Sequence, residues 1–315
     1  MTTRRALLAA PALLAAREAA AQGDPMRIVV NFTAGGALDG TARLIAEHAT
    51  RDGRGTVVVE NRPGAGGNIG AAAVARARPD GRTVLAALDT ALTVNPHLYA
   101  SLGYDPRDLV PVANLGGFAL VLLVHPSHPA QTLPQFLDAA RRAPLFYASG
   151  SIGSPGHLVM EHLRQLAGLP PTALEHVPQR GNPEALTAIV SGQVPAGFLA
   201  LGGGPDLVRS GRLRALAISG PRRLALLPEV PTVAESGIAG FDVRIANILF
   251  APRGTPDAAI AEWAALARAA LATEAARARL AGWGIEAPDM DAAALIAAND
   301  ARWGRVVREA GIRLD

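Results

Sequence analysis

The chain has 315 residues, half of them hydrophobic and 18% charged, which argues for one large or two medium folded α/β domains and against disorder. Its formal charge is only +3, all 30 basic residues are scattered arginines, and aromatics make up 4%, so a nucleic-acid surface with stacking platforms is excluded. There is no cysteine, which excludes disulfides, thiol catalysis and cysteine-ligated metals.

The N-terminus reads as an export leader. Arg4 and Arg5 precede an apolar run over residues 6–16, and Ala19 and Ala21 supply the small residues of a cleavage site, so residues 1–21 are expected to be a signal peptide cut near Ala21. The stretch TRRALL also fits a twin-arginine signal, and both the Sec and the twin-arginine routes stay open. The apolar run is too short to cross a bilayer. Losing Arg4, Arg5, Arg17 and Glu18 takes the formal charge from +3 to +1, and the mature chain is expected to be soluble and periplasmic.

Residues 27–32, RIVVNF, have the length and apolar content of a strand, followed by the glycine turn TAGGALD and a helix from about 40 to 50. Strands follow at 56–60 and 83–88 with a small-residue helix between them, the β-α-β-α-β pattern of a parallel sheet. The unit VVVENRPGAGGNIGAAAVARARPDGRTVLAALD has the order of a dinucleotide site: glycine loop, helix, strand, acid. However, ENRP separates strand from glycines, and their spacing is G-x-G-x-x-x-G. A tight turn and close helix packing explain them better than a pyrophosphate cradle.

LVLLV at 120–124 is a further strand, closed by the prolines of HPSHP. An amphipathic helix over 132–142 and the strand 146–148 lead into SGSIGSPGH, after which the α/β pattern restarts: helix 155–167, strand LEHV, helix 183–191, strands VPAGFLAL and LRALAIS. A proline-rich passage then precedes the strand ANILFAP and two helices, 256–281 and 290–310. Trp263, Leu266, Leu271 and Leu280 point to packing on the first lobe, and Trp303 reads as a core or hinge anchor.

Catalysis finds little support. None of the seven histidines lies in H-E-x-x-H or stands with carboxylates in metal-ligand spacing, and GSIGS at 150–154 has the wrong spacing for a nucleophile elbow. No metal, no cofactor and no enzymatic activity are expected, a cofactor-dependent enzyme being the less favoured alternative.

The segments VNFTAGGALDGTARLIAEH, VVVENRPGAGGNIGAAAVARARPDGRTVL, NPHLYASLGYDPRDLVPV, LPEVPTVAESGIAGF, APRGTPDAAIAEW and ARWGRVVREAGI run in order through the mature chain. Together they resemble the Bug family, the substrate-binding proteins of tripartite tricarboxylate transporters. The resemblance implies an α/β, two-lobed periplasmic binding protein fold (type II) with crossover strands and a ligand cleft. Residues 25–123 would form the first segment of lobe one and 124–222 lobe two. Residues 223–315 would be the return segment and C-terminal helices on lobe one. It also implies a monomer that closes on a small carboxylate-bearing metabolite (a di- or tricarboxylate, amino acid or aromatic acid) and delivers it to integral membrane permease subunits. A membrane sensor is the alternative partner.

Four loops in such a fold would face the cleft, each ending a strand and opening a helix, so that free N–H groups and the positive helix end suit a carboxylate. The first carries Phe32, Thr33, Ala34 and Gly35, with Asp39 either a helix cap or a ligand contact. The second, with Ser149, Gly150, Ser151, Ser154 and His157, is similar to the family's carboxylate clamp, His157 holding the loop. In the third, Gln179 stands where the family has a cleft-facing tyrosine, beside Arg180 and Gly181. In the fourth, Asp89 and Thr90 replace small hydroxyl residues. A carboxylate beside a carboxylate ligand costs roughly 1 kcal/mol or more, so either Asp89 faces away or the ligand carries a cationic or donor group. Leu199 stands where the family has an acid, and with Asp89 it predicts an altered specificity.

Overall fold

The first strand, β1 (Met26–Val30), runs parallel to its neighbours β2 (Val57–Asn61) and β3 (Thr83–Leu88), with its last three residues buried. The structure is a computed structural model describing residues 25–201, 204–288 and 290–314; the expected leader lies outside them. Two helices make the crossovers, α1 (Ala37–Arg51) and α2 (Asn68–Ala75), and two single-turn helices follow β3, α3 (Thr90–Thr93) and α4 (Asn95–Leu98). α1 starts three residues earlier than its pattern suggests, because Gly36 takes an extended N-cap conformation and Asp39 falls in the first turn.

The glycine-rich turn before α2 is left-handed over four successive residues, Gly64, Ala65, Gly66 and Gly67. A side chain on Gly70 would strike the backbone of Asn31 and Arg62, so glycine lets α2 lie directly on β1. That is the tight turn and close packing expected of these glycines.

β4 (Leu109–Phe118) completes the first sheet, whose order with the late strand β10 (Ile245–Pro252) is β2-β1-β3-β10-β4. The pattern does not announce it, since Pro111 and the pair Gly116–Gly117 interrupt it. An edge position tolerates both, and the register with β10 shifts twice along its length. The second sheet has the same pattern, β7-β6-β8-β5-β9. Its elements are β5 (Leu120–Val124), α5 (Leu133–Arg142), β6 (Leu145–Ser149), α6 (Pro155–Leu166), β7 (Leu174–Pro178), α7 (Asn182–Val190), β8 (Ala196–Ala200), α8 (Gly204–Arg209) and β9 (Arg214–Ile218).

Three expected boundaries need correction. LVLLV is buried at every position, and it satisfies both faces by lying between β8 and β9 in the second sheet. The sheets therefore divide at Ala119, not after residue 123. The return passage also stays with the second lobe beyond residue 222: Leu224, Leu227 and Val230 sit in one core with Leu123 and Leu199, and Thr232 bridges Ile218. The helix expected over 256–281 is two, α9 (Asp257–Ala272) and α10 (Glu274–Gly282), broken at Thr273, whose hydroxyl accepts from the Ala276 N–H.

α9 and α10 pack on the first lobe as expected, but α11 (Ala292–Ala310) does not belong to it alone. Its Trp303, Val306 and Val307 share a core with Val94 and Leu98 of the first lobe and with Leu158 and Leu163 of α6. Trp303 is wholly buried and meets His162 edge-on at 6.3 Å. Burying such side chains contributes roughly 1.5–3 kcal/mol each, so both lobes hold this helix.

The two connections between the lobes are stitched together by Ser219. Its hydroxyl accepts from the Leu120 N–H and donates to the Val243 carbonyl, both at 2.8 Å, joining the outward and the returning strand.

Candidate functional site

The four expected loops follow the ends of β1 and β3 in the first sheet and of β6 and β7 in the second. A Cβ on Gly153, in the second lobe, would run into Leu98 of α4 in the first, so the lobes touch beside these loops.

In the first loop Thr33, Ala34 and Gly35 are exposed and Phe32 is half-buried against the core. Asp39 turns inward. It accepts from the Gly35 N–H at 2.9 Å, Arg43 Nε at 3.0 Å and Asn61 Nδ2 at 3.0 Å, and Asn61 also donates to the Phe32 carbonyl at 3.1 Å. Burial alone would raise its pKa, but the Arg43, Gly35 and Asn61 donors together hold it below the ordinary 3.8. Asp39 is thus the clasp of this loop, its oxygens engaged within the protein.

Asp89 faces away from the opening. The side chain is fully buried, with one oxygen accepting from the Ala246 N–H at 3.0 Å and the other from Asn299 Nδ2 at 2.6 Å. It ties the end of β3 to β10 and α11, and burial pushes its pKa up from 3.8 to about 6 against those hydrogen bonds. Of the two alternatives for Asp89, the first holds. Thr90 is buried beside it at the start of α3. Leu199 is also turned away: it packs in the second-lobe core with Ala148 and Ile189, because its β8 position alternates inward. Neither residue supports the altered specificity inferred from them.

The serine loop is built around a buried hydroxyl. Ser149 Oγ donates to the Ser151 carbonyl at 3.0 Å, lies 2.9 Å from Ser154 Oγ and 2.7 Å from His176 Nε2. One hydroxyl has one proton, so with that proton on Ser151 O, His176 and Ser154 must both donate to Ser149. This is the reverse of a nucleophile and its base. His157 Nδ1 accepts from the Gly153 N–H at 3.0 Å, and its ring stacks on His176 at 3.9 Å. Burial lowers His157 to about 3, helped by the facing His176 ring, and lowers His176 to about 4, so both rings are neutral at neutral pH.

His157 is thus bonded within its own loop. Ser149 and Ser154 are spent on the same frame, which leaves the exposed Ser151 hydroxyl as the loop's free side-chain donor. Gly150 packs closely against the next loop, because a Cβ there would stand 3.1 Å from the Asn182 nitrogen and press on it. Gln179 is half-buried, its N–H donating to the Ser149 carbonyl at 2.9 Å, and Gly181 is half-buried before α7. Arg180 is exposed and has no ion pair among the described residues.

The sequence reading missed two residues that shape this site. His176 orders the serine loop from a different strand, and only its lone polar ring within LEHV hinted at it. Asn182 bonds both polar groups of Ala200 at 3.2 and 3.3 Å, closing the end of β8 as a further strand would. Asn247, opposite Leu88 on β10, is buried with both amide atoms unpaired among the described residues, a further candidate polar contact.

Two cavities of about 740 and 520 Å3 lie elsewhere, at α9–α10 and beside the end of α11. Neither cavity is lined by residues of the four candidate loops.

The model of the tripartite tricarboxylate transporter family receptor matches residues 41–312. Among curated relatives, a UPF0065 protein of Bordetella bronchiseptica is 38% identical over 80% of this chain and 76% of its own. BugT of Bordetella pertussis is 34% identical over 92% and 90%. Among solved structures, R. palustris Rpa4515 with adipate superposes with a TM-score of 0.81 at 30% identity, covering 93% of this chain and 99% of that one. MatC of Rhodopseudomonas palustris with bound malate gives 0.77 at 32% identity, over 91% and 99%.

Proposed function

The chain belongs to the tripartite tricarboxylate transporter receptor family, a family of periplasmic solute-binding proteins, and on that footing we propose that it captures a small dicarboxylate between its lobes. One observation carries this reading. Both acids expected near the cleft, Asp39 and Asp89, are turned into the protein with their oxygens engaged, while Ser151 and the helix-opening loops present donors. The N-termini of α1, α6 and α7 favour an anion, and the acid at these loops that remains exposed is Glu184 in the first turn of α7, beside Gly181. The bound adipate and malate of two relatives about a third identical to this chain support the same class.

The chain acts as an exported, monomeric protein, freed of residues 1–21, that closes around its ligand and offers the closed form to permease subunits. No helix among the described residues is long and apolar enough to cross a membrane. The proposed lobe division follows the sheets, with residues 120–243 forming lobe two.

Thermal-shift screening of adipate, malate, succinate, citrate, glutamate and benzoate tests the ligand class. At a hundred times its dissociation constant a ligand adds about 2.7 kcal/mol, or a rise of roughly 5 °C or more in Tm. At least one dicarboxylate should give it, and Gly150→Val should abolish it. Stabilisation by citrate alone or by benzoate alone would overturn the dicarboxylate reading.

A further inference from the structure

The cavity of about 740 Å3 runs along the outer edge of the first sheet, on a face distinct from the cleft. Its floor is β4 from Val112 to Leu115, α9 and α10 form its walls, and residues 285–288 and 290–291 lie over it as a strap. The strap is held at both ends. Gly117 and Glu286 exchange backbone hydrogen bonds at 3.1 and 2.8 Å, and Asn114 Nδ2 donates to the Met290 carbonyl at 3.0 Å.

Under the strap the walls carry Leu115, Leu271, Leu280 and Ile285, with Ala264 and Ala281 where larger side chains would fill the space. Met290, on the strap, is 43% exposed. Arg268 and Arg277 are exposed at this groove, and neither guanidinium has an ion pair or hydrogen bond among the described residues. Among the described residues that line it the one acid is Asp291, which is occupied in capping α11 through the Ala294 N–H at 3.0 Å.

We propose that this groove is a second binding site, for an amphipathic monocarboxylate such as a medium-chain fatty acid. The alkyl chain, roughly ten carbons by the volume such sites offer, lies against the alanine and leucine walls. Its carboxylate meets Arg268 and Arg277, where charge-assisted bonds to guanidinium groups are strong. Charge complementarity selects the occupant: an uncharged or cationic amphiphile gains nothing from two uncompensated arginines.

Calorimetric titration with decanoate, below its micelle concentration, tests this, with decyltrimethylammonium as the cationic counterpart. Decanoate should bind saturably at one site and the cation should not. Arg268→Gln with Arg277→Gln should weaken decanoate about tenfold or more, Ala264→Trp should abolish binding, and Thr33→Trp in the cleft loop should leave it unchanged. If Ala264→Trp does not melt cooperatively, the exposed arginine pair carries the test alone. The proposal is overturned by absent saturable binding, by equal binding of the cation, by an unaffected arginine variant, or by loss in Thr33→Trp with retention in Ala264→Trp.

Discussion

Replacing Asp89 by asparagine probes the junction where β3, β10 and α11 meet. The buried carboxyl has its pKa raised from 3.8 to about 6, chiefly by desolvation. Because the folded value lies above the unfolded one, the stability linked to its proton is complete below about 3.8 and is lost as pH rises through about 6. Between pH 7.5 and pH 5.0 this linkage contributes about 1.5 kcal/mol to the wild type and nothing to Asp89→Asn. Asparagine keeps an acceptor for the Ala246 N–H, but its amide nitrogen faces Asn299 Nδ2. Asn299 can turn its oxygen inward only by giving up the 3.1 Å bond from Arg302, a cost of about 1 kcal/mol at either pH. Urea unfolding of both proteins at the two pH values isolates the titration, since every other group cancels in the difference. The wild type should gain on the variant by about 1.5 kcal/mol on acidification. A difference that stays constant with pH would refute the buried, ionisable Asp89, and loss of ligand affinity in the variant would return it to the cleft.

Two further outcomes follow from buried groups. Ser219→Ala leaves the Leu120 N–H and the Val243 carbonyl without the hydroxyl that joins them, and should cost about 1–3 kcal/mol in urea unfolding with an unchanged m value; a neutral result would mean the two lobe connections do not depend on each other there. His162, among Phe241, Trp303 and the Arg302 and Arg305 charges, is lowered from 6.5 to about 4, mainly by burial. Its folded value lies below the unfolded one, so its contribution is present above 6.5 and is lost as pH falls toward 4. His162→Phe should therefore recover about 2 kcal/mol relative to the wild type between pH 7.5 and pH 5.0, and parallel acid profiles for the two proteins would rule this out.

Local pattern was enough for much of this fold. The apolar runs at 28–30 and 84–87 could only be buried strands, and the glycines at 64, 66 and 67 supplied a turn in a backbone region that larger residues rarely adopt. The hydroxyl-rich loop at 149–154 was visible as a candidate donor set for the same reason: its composition states its chemistry. Sequence order alone also placed two α/β series on either side of a crossover. It did not divide them at Ala119, because a uniformly apolar strand such as LVLLV fits the middle of either sheet, and only its partners β8 and β9 choose.

What tertiary structure decided was direction and partnership. Asp89 follows a strand at the cleft end, as a ligand-binding residue would, yet its carboxylate is claimed by Asn299, 210 residues away, and by the Ala246 N–H. His176 looked incidental until β7 set it beside Ser149. A side chain's identity fixes which bonds it can make, and the local period fixes the face it occupies; which donors wait on that face depends on chain segments distant in sequence, which is why the candidate loops were legible here and the roles of their residues were not.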